Sequence, residues 1–260
     1  MGELEGKVAI ITGGGYGIGK EIALIYARAG ARLVLAARTP GPLEETCAAI
    51  QKIGVEAITF RADVAKEADC AGMVEAAIKA FGHIDILVNN AGIAGPTKRS
   101  TEMALAEWQE VLDINLTGAW LASRAAIPAM VKQKAGNILM ISSGAGRRGY
   151  PFRSPYAASK WAMIGLTQTL ALEWGAEGIR VNCICPGAVE GDRIERVIRA
   201  RAEATNAPYE QVKRGFTSAA AMQRMVTEEE VARVSLFLVS ELSAGVSGQT
   251  INVDAGNIMN

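Results

Sequence analysis

Lys7-Val8-Ala9-Ile10-Ile11-Thr12-Gly13-Gly14-Gly15-Tyr16-Gly17-Ile18-Gly19 is an apolar run that breaks into glycines, with the helical pattern of residues 20–29 behind it. Strand, glycine turn and helix start in that order suit a phosphate-binding loop. Glycines let the backbone approach a pyrophosphate, and the helix N-terminus faces its charge. The spacing is G-x-x-x-G-x-G over Gly13, Gly17 and Gly19, with Gly15, Tyr16 and Ile18 between them. A purely structural glycine turn is the competing reading of this stretch taken alone.

Working outward, Arg32–Ala37 reads as a second strand that closes a right-handed βαβ unit. Pro40–Ile53 is an amphipathic helix, and further strands are predicted at 56–61, 84–88, Gly136–Ile141, 179–185 and Thr250–Val253. Helices are predicted at 101–112, 116–131 and 154–176, and from Thr227, where Thr227 and Glu230 form a capping box. This alternation predicts an α/β fold: a single doubly wound, Rossmann-like domain over 1–260, its seven-stranded parallel sheet flanked by helices. No repeat, linker or low-complexity tract interrupts it.

Composition narrows the function classes. Lys+Arg and Asp+Glu balance at 27 each, so no global field attracts nucleic acid or an anionic membrane. No targeting pattern opens the chain, and apolar runs such as 234–239 are too short to span a bilayer. The expectation is a soluble cytoplasmic protein. Cys47, Cys70, Cys183 and Cys185 lack zinc-site spacing and read as small core hydrophobes. No metal is expected. The one histidine, His83, falls in a predicted turn, a poor position for a catalytic base.

A second stretch carries chemistry: Ser154-Pro155-Tyr156-Ala157-Ala158-Ser159-Lys160-Trp161. Residues four apart on a helix return to nearly the same face, so Tyr156 and Lys160 address one point. A neighbouring ammonium favours phenolate and brings the hydroxyl toward useful acid/base range. An incidental pair on an exposed helix is the alternative. Against it stands Ser143, a second hydroxyl at the end of the strand Gly136–Ile141, where open α/β sheets bind ligands.

Other positions fit a dinucleotide. Eighteen residues past Gly19 lies Ala37, followed by Arg38 and Thr39. With no carboxylate to repel a 2′-phosphate and a guanidinium to pair with it, NADP(H) is favoured, with NAD(H) open. Asp63, beside Val64, is placed either to accept from an adenine amino group or to cap the helix starting near Lys66. Asn90, Ala91 and Gly92 are small enough to lie against a flat ligand. Asn89 is placed to tie strands through its amide. Asn115, polar among Leu112, Ile114 and Leu116, marks either a functional position or a kink.

Together Thr12-Gly13-x-x-x-Gly17-x-Gly19, Asn89-Asn90-Ala91-Gly92, Asn115, Ser143, Tyr156-x-x-x-Lys160 and Pro186-Gly187 resemble the short-chain dehydrogenase/reductase family in its compact form, over essentially the whole chain. The resemblance implies that Tyr156 exchanges a proton with the substrate oxygen while Ser143 hydrogen-bonds that oxygen. It implies that Lys160 lowers the tyrosine pKa and binds the nicotinamide ribose, that Asn115 holds a relay water, and that Val189 reaches the carboxamide. It also implies homodimers or homotetramers, which family members commonly build from the two helices predicted at 116–131 and 154–176. Two positions depart from the family pattern: Gly191 stands where many relatives carry threonine, and Tyr16 where a basic residue is frequent.

Substrate choice is expected in the insertion 190–226, read as lid and substrate loop. Its Arg193, Arg196, Arg199 and Arg201, interleaved with Glu195 and Glu203, suit a solvated helix with internal ion pairs. The sharper reading is an anion receptor at Arg193 for a carboxylate, phosphate or sulfonate. Ala145, Tyr150 and Phe152 are the other candidate walls, and the arginines of 147–153 are expected to meet solvent or another subunit. The function expected is reversible oxidoreduction of a small alcohol or carbonyl compound. A 3-oxoacyl-thioester reductase, a sugar or polyol dehydrogenase, and a non-catalytic dinucleotide sensor are the alternatives.

Overall fold

β1 (Val8–Thr12) and β4 (Ile86–Asn89) are buried at every position, as strands covered on both faces must be. β3 (Ala57–Arg61) is instead buried only at Ala57 and then alternates between half-buried and exposed, as an edge strand can. The computed structural model describes residues 2–259, so the two end residues of the expected domain lie outside the described residues. β1, β2 (Arg32–Ala37), β3, β4, β5 (Gly136–Ile141), β6 (Ile179–Pro186) and β7 (Thr250–Val253) form one sheet in the order β3-β2-β1-β4-β5-β6-β7. Every pairing is parallel.

Helices cover both faces. On one side α1 (Gly17–Arg28), α2 (Pro40–Ile53) and α9 (Glu228–Val239) pack through Ile22, Tyr26, Leu43, Ile50, Val231 and Leu238. On the other, α3 (Glu67–Phe81), α5 (Gly118–Gln133) and α6 (Ser154–Trp174) pack through Met73, Ala77, Leu121, Met130, Met163 and Leu170. Cys183 and Cys185, two apart on β6, share this second side. Chain order reverses between β1 and β4, and that switch opens a crevice at the carboxyl ends of the strands.

Three local features differ from the expected pattern. The helix expected from residue 101 begins at Leu105, because the Glu107 carboxylate accepts the Ala104 N–H at 3.0 Å and fixes the start there. Asp113–Thr117 is a π-helical turn that joins α4 (Leu105–Leu112) to α5 without a break. Asp63 does not cap α3, which starts behind Lys66. Its carboxylate accepts the Ala65 N–H at 3.2 Å in an Asx turn instead. The capping box of α9 forms as expected, with Thr227 Oγ1 accepting from Glu230 N–H and the Glu230 carboxylate from Thr227 N–H.

The insertion over 190–226 is a pair of helices, α7 (Asp192–Thr205) and α8 (Tyr209–Ser218). A two-stranded bridge between Val189 and Val226 closes its base. No helix among the described residues is long and apolar enough to cross a membrane.

Candidate active site

The glycine turn is clamped from behind by its neighbour strand. The Thr12 hydroxyl donates to Val88 O at 3.1 Å and accepts the N–H groups of Asn90 and Ala91, each at 3.0 Å. Asn90 Nδ2 donates to Thr12 O and Gly13 O at 2.9 and 3.2 Å. Gly13 has φ +69°, and a Cβ there would lie 2.8 Å from Asn90 Nδ2, so only glycine fits. No side chain caps the N-terminus of α1, which leaves its first N–H groups facing the crevice.

The crevice is a cleft of about 770 Å³. Gly13, Gly15, Tyr16, Gly17, Ile18, Arg38, Thr39, Asp63, Val64, Asn90, Ala91 and Gly92 line one end, and Ser143, Ala145, Tyr150, Tyr156, Lys160, Pro186, Gly187, Val189 and Arg193 line the other. A glycine-backed cradle at an uncapped helix start fits a dinucleotide. Gly19 packs behind the turn on the Gly13 backbone, outside the lining. Phe152 also lies outside it, at φ +67° with its carbonyl held by Lys98 N–H, and Phe216 of α8 lines the wall instead. Asn89 donates to Ser123 Oγ at 3.0 Å and so ties β4 to α5. Among the described residues, no group of three or more His, Cys, Asp or Glu side chains is arranged to hold a metal. His83 lies against Phe81 O and Gly6 O.

Tyr156 and Lys160 sit in the first turns of α6, facing the end of β5. Lys160 is 3% exposed; its Nζ donates to Ile141 O at 2.8 Å and lies 5.8 Å from the Tyr156 ring centre. Burial pushes the Tyr156 phenol up, but Arg193, Lys160, a hydrogen bond from Ser143 and Arg153 together outweigh it and hold the phenol below the ordinary tyrosine range. Burial also lowers the Lys160 ammonium, countered in part by Tyr156.

Asn115 is fully buried in the π turn. Its Oδ1 accepts Ile93 N–H at 2.8 Å, and its Nδ2 donates to Ile93 O at 3.0 Å and Ser159 Oγ at 3.1 Å. The loop after β4 and the helix bearing Tyr156 are thereby held to one side chain. π-turns recur at functional positions, and the π turn sets this amide off the regular α-helical spacing of α4 and α5.

Arg153 had no signal of its own in the sequence. It was expected at solvent or a subunit contact, yet it is only 5% exposed, and its Nη1 donates to Ala94 O at 3.1 Å inside the cleft. That contact spans 59 positions, which local sequence does not encode. Within α7 the expected internal ion pairs are missing among the described residues. Glu195 turns instead to Lys213 and Tyr209 of α8, and Arg193 Nη1 reaches across the cleft to Gly92 O at 3.1 Å.

The family model for short chain dehydrogenases matches residues 7–202. An uncharacterized oxidoreductase of Thermotoga maritima is 38% identical over 97% of this chain and 98% of its own length. A 3-oxoacyl-[acyl-carrier-protein] reductase of Synechocystis sp. is 36% identical over the full length of both. Among solved structures, an NAD+-bound xylitol dehydrogenase superposes with TM-score 0.95 at 32% identity, over 97% of this chain and 99% of that one. With the strand order, the glycine cradle and the Ser143, Tyr156 and Lys160 cluster in one cleft, these matches establish that the chain belongs to the short-chain dehydrogenase/reductase family.

Proposed function

We propose that this protein interconverts a small secondary alcohol and its ketone, with Tyr156 as the group that exchanges the proton. The observation that carries this reading is a phenol held acidic beside a serine hydroxyl, at the mouth of a cleft shaped for a dinucleotide. A nicotinamide dinucleotide bound there supplies or accepts the hydride. In the oxidation direction the Tyr156 phenolate takes the hydroxyl proton, and in reduction the phenol returns it to the carbonyl oxygen. Ser143 donates a hydrogen bond to that oxygen as charge builds on it. Lys160 keeps the phenolate stabilised and is within reach of a cofactor ribose. Asn115 positions both walls, and a water at its turn would link Lys160 to solvent.

For the cofactor, NADP(H) is the preferred partner and NAD(H) the second. The support is local: β2 ends in Ala37 with no carboxylate, and Arg38 stands exposed at the cleft edge. Two of the similar solved structures hold NAD, so the choice rests on Arg38. We read the protein as cytoplasmic and as a homodimer or homotetramer, supported by exposed Trp120, Trp161 and Leu172 on α5 and α6. Sedimentation equilibrium reads the assembly directly, and a monomer would exclude it.

Nicotinamide absorbance tests the activity. Purified protein is screened with both reduced cofactors against ketones and both oxidised cofactors against alcohols, then again as Tyr156→Phe. The expected loss in kcat is about 10²–10⁴-fold; activity that survives the substitution excludes Tyr156 as proton carrier.

A further inference from the structure

The substrate end of the cleft carries more positive charge than one Tyr156 phenolate can balance. Arg153 and Arg193 both line it, and neither is ion-paired to a carboxylate among the described residues. Arg153 is buried beneath the start of α6, and one backbone carbonyl, Ala94 O, accepts from Nη1 of its guanidinium. Arg193 likewise meets one carbonyl, Gly92 O. Arg201 adds a further cation nearby, stacked over Tyr150 and Phe216 with 5.9 Å to each ring centre.

None of the acids that line the cleft forms an ion pair with Arg153 or Arg193 among the described residues. Asp254 accepts from Gly256, Asn257 and Ile258 N–H groups. Asp63 holds its Asx turn at the far end. Glu228 sits against Gly17 and Gly191 at the glycine turn, with Asp192 beside it, and Glu190 faces Arg224. A buried cation without a full counter-charge is destabilising, and one that lines a cleft is a candidate for holding an anionic ligand. A guanidinium that spends one of its five donors on a carbonyl still has a fork free for a planar oxyanion.

We propose that Arg153 and Arg193 form a receptor for a carboxylate on the substrate, so that the enzyme acts on oxo acids and the matching hydroxy acids. This rests on the reading that Tyr156 exchanges the proton. The carboxylate anchors at Arg153, beneath Tyr150, and the carbonyl carbon is presented to Ser143 and Tyr156. Arg193, rooted in α7, joins the anion from the lid side, so an acidic substrate ties the lid across the cleft where a neutral one does not.

The test uses the full-length protein loaded with NADP+ or NADPH. Short oxo acids with the ketone at successive positions are compared with their methyl esters, in wild type, Arg153→Met, Arg153→Lys and Arg193→Met. Acetate binding is followed in parallel by thermal shift against chloride at equal ionic strength. Expected are a wild-type kcat/KM that favours acid over ester, a fall in that ratio of about 10- to 100-fold in Arg153→Met, and loss of acetate protection in the same variant. Arg153→Lys recovers only part, because a point charge lacks the fork. Equal turnover of acid and ester in wild type, an unchanged ratio in the variants, or acetate protection that persists in Arg153→Met would overturn the receptor. If Arg153→Met does not fold, the wild-type ratio and acetate protection decide alone. Acetate bound through Arg153 with no turnover of either acid or ester keeps the anion site and overturns the assignment of oxo acids as substrates, while turnover of other ketones in the nicotinamide screen shows that the Tyr156 reading stands apart from it.

Discussion

A phenol carries protons usefully near neutral pH only when its surroundings stabilise the anion better than water does. At Tyr156, burial works against that, and three cations with one hydroxyl work for it. Arg193 opposes burial most strongly, ahead of Lys160, although it sits on α7 rather than on α6. The position of α7 and the acidity of the tyrosine are therefore linked. In the proposed mechanism alcohol oxidation needs the phenolate, so its rate should rise with pH through the Tyr156 pKa; ketone reduction needs the phenol, and its rate should fall over the same range. Removing a cation raises that pKa. Arg193→Met should move both midpoints to higher pH, read from kcat/KM profiles in each direction. Midpoints unmoved or displaced downward would detach Arg193 from the chemistry.

At the scale of elements, the π turn of Asp113–Thr117 brings α4, α5, α6 and the loop after β4 to one amide. A Cβ on Gly118 would meet Val64 Cγ2 at 2.7 Å, so the next residue must be small for α5 to sit this close to the β3 exit. Asn115→Leu removes three hydrogen bonds and strands both Ile93 backbone groups. The expected cost is about 3 kcal/mol in urea unfolding, with a larger loss of kcat than of substrate affinity because Tyr156 loses its fixed position. Stability within about 0.5 kcal/mol of wild type would show that Ile93 finds water instead. The sequence marked Asn115 as a polar residue in an apolar helix but carried no sign of the π turn, because the extra residue per turn answers to contacts made 22 and 44 positions away.

Across the whole molecule, the sheet was legible because central strands buried on two faces are written as unbroken apolar runs, and glycines punctuate their ends. The placing of Tyr156 beside Lys160 was legible for a similar reason, since the two are one helical turn apart. Arg153 was not, because its guanidinium answers to Ala94 O, 59 residues earlier. Phe152 was misplaced by the same blindness: a left-handed backbone turns it away, and Phe216 arrives from a helix after the sixth strand. In the proposed reading cofactor choice also belongs to this scale, because Arg38, just past β2, lines the cleft only once the strands assemble into one sheet. Arg38→Asp should invert the preference, raising the KM for NADP(H) by about tenfold or more through loss of a charge-assisted contact and lowering that for NAD(H). A preference that does not change would remove Arg38 from recognition.

The most direct measurement is an ultraviolet titration of tyrosinate in wild type and Tyr156→Phe. Burial raises Tyr26 and Tyr150, and the Glu195 carboxylate raises Tyr209. Tyr156 should therefore ionise before these three, below the ordinary tyrosine range, and that early step should vanish in Tyr156→Phe and coincide with the midpoint of alcohol oxidation. An early step retained by Tyr156→Phe, or a wild-type Tyr156 that ionises at or above the ordinary range, would contradict it.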